Sequence, residues 1–211
     1  MIIVVLGPQG SGKGTQAKLL AQKYNLKVIS MGDLLRAASK ADEGINEIVN
    51  KKGGLVPPET TYSVLIEYLK ANEINDNFIL DGFPRMVEQY ELFKTWLVEK
   101  GKQIDIVIVL DISEEESIRR LSGRRTDPVG GKIYNLDTSP KPGPEVDVAS
   151  LVQRDDDKPE AIRQRLNWYK TDVLPLIGHL REANVKVVEI DAARSVDAIQ
   201  ADLIAFLEGL E

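Results

Sequence analysis

The 211-residue chain has no cysteine and a single histidine, His179. Without thiols it can form neither disulfides nor a thiolate-held metal site. The lone histidine lies in a helical segment far from every motif below, so a structural role is expected for it in place of acid–base chemistry. No apolar run approaches the ~20 residues of a membrane span, so no membrane partner is expected. The start, Met1-Ile2-Ile3-Val4, lacks the basic flank of a signal peptide, which makes the cytoplasm the default compartment. Positive charge is not in excess either. The 27 Lys and Arg stand against 33 Asp and Glu, which argues against the basic footprint of a nucleic-acid binder. Repeats and low-complexity tracts are absent. The composition is that of a soluble globular protein with one sizeable core.

The most informative stretch follows the first apolar run. Ile2-Ile3-Val4-Val5-Leu6 reads as a buried strand and ends in Gly7-Pro8-Gln9-Gly10-Ser11-Gly12-Lys13-Gly14-Thr15. A helix follows, with Ala17, Leu20, Ala21 and Tyr24 at helical spacing. Strand, glycine loop and helix are together the context of a phosphate-binding loop. The glycines let successive backbone N–H groups turn toward one anion. The helix adds the positive end of its dipole, and Lys13 supplies a point charge along the outer phosphates.

Further strands are expected over 27–29, 78–80, 106–110 and 185–190, and helices over 61–71, 87–100 and from Ser113 to about Leu121. A long helix from Pro159 should bend or end near Pro175, and Ser195 should cap a last helix. Strands alternating with helices give an α/β fold: a five-stranded parallel sheet of the phosphate-loop NTPase type, with helices on both faces. Residues 123–154 break this rhythm. They are rich in turn signals such as Asp127-Pro128, Gly130-Gly131 and Pro142-Gly143-Pro144, and are too long for a plain loop. They read as a small excursion that covers something. Ligands in such folds sit at the carboxyl ends of strands. The glycine loop, residues 30–36 and residues 81–85 occupy three such ends and should converge.

Several stretches together resemble the nucleoside monophosphate kinases, and among them the adenylate kinases. They are the loop with Gly14 between Lys13 and Thr15, Gly32-Asp33-Leu34-Leu35-Arg36, Asp81-Gly82-Phe83-Pro84-Arg85 with Gln89 beyond, Gly123-Arg124-Arg125, and Arg154-Asp155-Asp156-Asp157 followed by Arg165. They stand in that family's order along essentially the whole chain. The resemblance implies a core domain of residues 1–29, 61–122 and 155–211, a small helical acceptor-binding insert at 30–60, and a lid at 123–154. It implies transfer of a phosphoryl group from MgATP to AMP by a monomer. Lys13, Arg85, Arg120, Arg124, Arg154 and Arg165 would be the catalytic cations, and Asp81 would hold magnesium through water. Gly10, Ser11, Gly12, Lys13, Gly14, Thr15, Arg120, Arg124, Ile133, Tyr134 and Arg194 would contact ATP. Met31, Arg36, Gly54, Leu55, Val56, Gly82, Phe83, Pro84, Arg85, Gln89, Arg154 and Arg165 would contact AMP.

The sequence also departs from the family pattern. Met31 stands where a threonine is usual, and it either packs on the acceptor base or belongs to the core. Ala192 stands where glycine is usual. The lid turn Asp127-Pro128-Val129-Gly130 lacks the cysteines that hold zinc in some bacterial relatives, so no zinc is expected. Asp155, Asp156 and Asp157 read equally as a hinge that positions Arg154 or as an N-terminal charge cluster for the next helix. A UMP/CMP kinase is the nearest alternative, but the long excursion at 123–154 favours AMP. A phosphate-loop switch that reads guanine would need an Asn-Lys-x-Asp motif, which this sequence lacks.

Overall fold

The computed structural model describes residues 1–48, 56–137 and 141–209. The first strand, β1 (Ile2–Leu6), is buried along its whole length. The glycine loop carries it into α1 (Lys13–Tyr24). Then come β2 (Lys27–Ser30), α2 (Met31–Ala38), the short α3 (Glu43–Asn46) and α4 (Pro58–Ala71). The helix expected from residue 61 begins three residues earlier, because Pro58 takes the first helical position, where its missing N–H costs nothing. β3 (Phe78–Asp81), α5 (Val87–Glu99), β4 (Ile106–Asp111) and α6 (Glu114–Gly123) complete the central units. Ser113 caps α6 by accepting from Glu116 N–H at 3.2 Å.

The excursion after α6 contains an antiparallel pair, β5 (Arg124–Thr126) and β6 (Ile133–Asn135). Thr126 also bridges to Val152, which ties the far end of the excursion back to its start. A 3₁₀ turn at Asp155–Asp157 leads into α7 (Pro159–Trp168), a π-helical turn at Tyr169–Val173 and α8 (Leu174–Glu182). The helix is therefore re-registered just before Pro175 and is not broken there. Leu174 N–H reaches five residues back to the Tyr169 carbonyl. Proline, having no N–H, cannot continue the ordinary ladder. β7 (Val187–Asp191) and α9 (Val196–Glu208), capped by Ser195, close the chain.

The five main strands form one parallel sheet in the order β2-β3-β1-β4-β7, as the strand–helix alternation predicts. Side chains alternate across β1. Ile2, Val4 and Leu6 join one core with Phe78, Phe93, Trp96 and Leu176. Ile3 and Val5 join the other with Ala17, Leu20, Ile199 and Leu203. Register then sets the site. Asp81 is paired with Val5 on one side and with Ser30 on the other. Three segments distant in sequence thus leave the sheet side by side. No helix among the described residues is long and apolar enough to cross a membrane. His179 lies on α8 with Nε2 at 2.7 Å from Glu91 Oε1 and its ring edge-on to Tyr90. Both contacts join α8 to α5, which is the structural role expected of it.

Phe93 is fully buried, edge-on to Phe83 at 5.6 Å and stacked on Trp96 at 5.8 Å. Phe93→Ala should lower the unfolding free energy by about 3–5 kcal/mol, measured by urea denaturation. A loss below ~1 kcal/mol would mean that the ring is not integral to the core beneath residues 81–85.

Candidate active site

The glycine loop takes its shape from backbone conformations that other residues resist. Gly10 and Gly12 have φ of 82° and 89°, in the left-handed region that favours glycine. A Cβ at Gly7 would collide with the Leu110 carbonyl oxygen of β4. Ser11 is fully buried. Lys13 folds back across the loop and donates to the carbonyls of Gly7 at 2.9 Å and Pro8 at 2.8 Å. Burial pushes the Lys13 ammonium down to about 7. The Asp81 carboxylate pulls it back up, and Arg85, Arg165 and Arg124 push it lower. Gly14 lies against the same acid, since a Cβ there would stand 3.2 Å from Asp81 Oδ2. A residue with a side chain in this position would crowd the carboxylate.

Asp81 ends β3 deep in the cleft, and burial drives its carboxyl upward against the opposing pull of Lys13 and Arg85. Arg85 follows on the next loop, with Nε donating to the Gly82 carbonyl at 2.9 Å. Its backbone N–H is held by Gln89 Oε1 at 2.7 Å. Burial lowers the Arg85 pKa, with Arg36 pushing the same way. Arg36 comes from α2 and pairs with Asp33 at 2.5 Å. Arg124 opens β5 and grips Asp157 through both fork nitrogens, at 2.7 and 2.6 Å. Arg165 on α7 pairs with Asp156 at 2.5 Å, and burial brings its pKa down to about 10. Arg154 donates from Nε to Thr126 Oγ1 at 3.2 Å, and feels Arg124 and Arg36 as like charges. Lys13 and five arginines from separate segments are thus electrostatic neighbours. Arg120 stands at the edge of the loop and reaches the carbonyls of Gly10 at 3.3 Å and Ala192 at 2.9 Å. A small pocket opens beside the loop, lined by Pro8, Lys13, Gly82, Arg85 and Arg165, with Trp168 and Tyr169 beyond.

The other residues named from sequence are placed less uniformly. Thr15 is exposed on the first turn of α1. Met31 is 2% exposed and packs in the core. Val56 is buried, and its carbonyl accepts from Thr61 Oγ1 at 3.2 Å. Gly54 and Leu55 lie outside the described residues. Gly82 has φ 75°, and Pro84 follows Phe83, which is fully buried, through a cis peptide. Ile133 and Tyr134 stand on β6 opposite Thr126 and Arg125; Ile133 is exposed and Tyr134 is buried. The Arg194 guanidinium turns to α9 and donates to Asp202 at 2.6 Å.

The carboxylates that hold the arginines, Asp33, Asp156 and Asp157, carry little signal of those pairings in the sequence. Asp33 lies three positions before Arg36 on α2, a spacing that signals a pair. Asp156 and Asp157 read in the sequence as a hinge that positions Arg154 or as a charge cluster, whereas their side chains pair with Arg165 and Arg124. No periodicity announced that Trp168 and Tyr169 would line the cavity.

The depressed pKa of Lys13 has a consequence for stability. Between about pH 7 and its ordinary 10.5, the unfolded chain keeps a proton that the folded chain has released. This group's contribution to stability therefore rises with pH across that window. The melting temperature of the nucleotide-free protein, minus that of Lys13→Met, should become more positive from pH 7 to pH 9.5. A flat difference would contradict the buried, discharged lysine.

The described geometry accords with comparisons to known proteins. The family model for adenylate kinase matches residues 5–185. An adenylate kinase of Petrotoga mobilis is 41% identical over 98% of this chain and 97% of its own length. One from Kosmotoga olearia is 39% identical over the full length of both chains. One from Archaeoglobus fulgidus is 36% identical, also over both full lengths. With the strand–loop–helix grip, the converging arginines and this likeness along its whole length, the chain belongs to the adenylate kinase family.

Proposed function

We propose that the cleft carries out the reaction for which this family is named, reversible phosphoryl transfer from MgATP to AMP giving two ADP. The observation that carries this reading is the meeting of Lys13, Arg36, Arg85, Arg124, Arg154 and Arg165 around the end of β3, beside a phosphate-binding loop. The nucleophile is a phosphate oxygen, already anionic, so the reaction needs no general base. What it does need is neutralisation of charge while two polyanions approach in line. In this reading the loop from Gly10 to Thr15 and Lys13 grip the outer phosphates of ATP. Arg120 borders the donor nucleotide. Arg36 and Arg85 hold the AMP phosphate with planar forks. Arg124, Arg154 and Arg165 surround the transferring group.

Magnesium arrives with ATP as part of the substrate and offsets phosphate charge. Asp81 fits it as a single half-buried carboxylate acting across water. Among the described residues no group of three or more His, Asp or Glu side chains forms a metal cage, and magnesium prefers to keep its waters and phosphates. The three-part organisation fits the same reading, with residues 30–60 receiving AMP and 123–154 closing over the phosphates to exclude water. A monomer suffices, because every proposed ligand of the transferring group comes from one chain.

A coupled assay with ATP, magnesium and each monophosphate in turn tests the proposal. AMP should be the preferred acceptor. Faster turnover with UMP or CMP would reassign the acceptor, and no turnover with any monophosphate would refute the reaction. Lys13→Ala should reduce turnover by at least ~100-fold while circular dichroism still reports a folded protein. Near-normal turnover in that variant would remove the loop from catalysis.

A further inference from the structure

Arg120 is held at three points by three different segments. Nε donates to Glu116 Oε1 at 2.6 Å, one turn back on α6. Nη1 reaches the Gly10 carbonyl in the phosphate loop at 3.3 Å, and Nη2 reaches the Ala192 carbonyl after β7 at 2.9 Å. The fit against the loop is close, since a Cβ at Gly10 would stand 3.5 Å from Arg120 Cβ. A guanidinium has five N–H donors, so two of them stay free for a ligand. The two carbonyls can aim the fork but carry no formal charge. Of the three partners, only Glu116 does.

Glu116 is itself fixed. Its backbone N–H is held by Ser113, and its carboxylate takes the fork of Arg119 at 2.7 Å on each oxygen. Arg119, and after it Arg120, hold its carboxyl down at about 2, so it is an anion at any working pH. Both Glu116 and Arg120 have side chains only 19% exposed, whereas Arg119 is 53% exposed. Acid–base pairs at this helical spacing are ordinarily minor surface contributions. This one differs because its arginine spans the phosphate loop and the segment after β7.

We infer that Glu116 is a positioning residue: by fixing Nε of Arg120, it sets that fork between Gly10 and Ala192 and so tunes affinity for the donor nucleotide without touching it. The inference rests on the proposed reaction, in which Arg120 borders ATP. It assigns Glu116 to the donor side alone, since none of its hydrogen-bond partners belongs to the AMP segments.

Steady-state kinetics of Glu116→Gln, which keeps the shape and removes the charge, test it. KM for ATP should rise about five- to tenfold, the equivalent of about 1–1.4 kcal/mol. KM for AMP and kcat should stay within about twofold. In an Arg120→Lys background the same substitution should add nothing to KM for ATP. The role of Glu116 is overturned if KM for ATP does not change, if KM for AMP rises equally, or if the substitution still raises KM for ATP in the Arg120→Lys background. Wild-type protein inactive with ATP and AMP would instead refute the proposed reaction.

Discussion

Repulsion among like charges is the constraint on which this cleft depends. At an effective dielectric constant of about 20, two unit charges ~4 Å apart cost about 4 kcal/mol. Lys13, Arg36, Arg85, Arg124, Arg154 and Arg165 lie near enough for several of them to depress one another's pKa. Such a cluster folds only if acids are interleaved with it. Asp33, Asp156 and Asp157 each pair with one arginine, and Asp81 stands beside Lys13 and Arg85. The Asp157 side chain is fully buried under the Arg124 fork, a placement tolerable only because both its oxygens accept charge-assisted bonds. A phosphate entering the cleft therefore competes with carboxylates already on the guanidinium groups. Binding is an exchange of one anion for another, which favours ligands carrying more charge than a single carboxylate.

The sheet makes that interleaving possible. Because Val5, Asp81 and Ser30 share one register across β1, β3 and β2, the loop, the Asp81–Arg85 turn and α2 all leave the sheet at the same edge. The two cores on its faces fix that edge from below. Fully buried Phe83 links the turn to Phe93 and Trp96. Ala17 and Leu20 seat the helix after the loop against Ile199 and Leu203 of α9. Packing in the core is thereby converted into positional accuracy at residues that never enter it.

Much of this was legible in the sequence because it follows from local rules. Five strand segments, the Ser113 and Ser195 caps and the glycine loop each carry their own signal, and the parallel topology follows from their alternation. Arg36 and Arg85 could be placed at strand ends by that topology alone. The acids were harder to read. Asp156 and Asp157 sit in a short 3₁₀ turn, where no periodicity tells which partner each will find, and Arg124 is 33 residues from Asp157. The π-helical turn was equally hidden. Pro175 announced a disturbance, but its position, at Tyr169–Val173, depends on tertiary packing: α7 buries Ile162 and Leu166 against Leu121 of α6, whereas Leu176, Ile177 and Leu180 of α8 join the core with β1 and β3. Met31 illustrates a different limit. Two environments suited a methionine there, and only the three-dimensional packing assigns its side chain to the core.

The net charge of −6 takes on another meaning in this setting. Taken as a bulk property, it would repel the polyanions that the cleft is built to hold. Yet several of the acids in that total, Asp33, Asp81, Glu116, Asp156 and Asp157, are the counter-ions of the cationic groups. They would be needed at any net charge, since without them the arginines could not be brought together. Long-range field and local field are set by different residues, and only the local one decides which ligand is held. An acidic protein can thus bind acidic ligands with no contradiction, provided that fixed acids hold the cations in the place where a phosphate will take over.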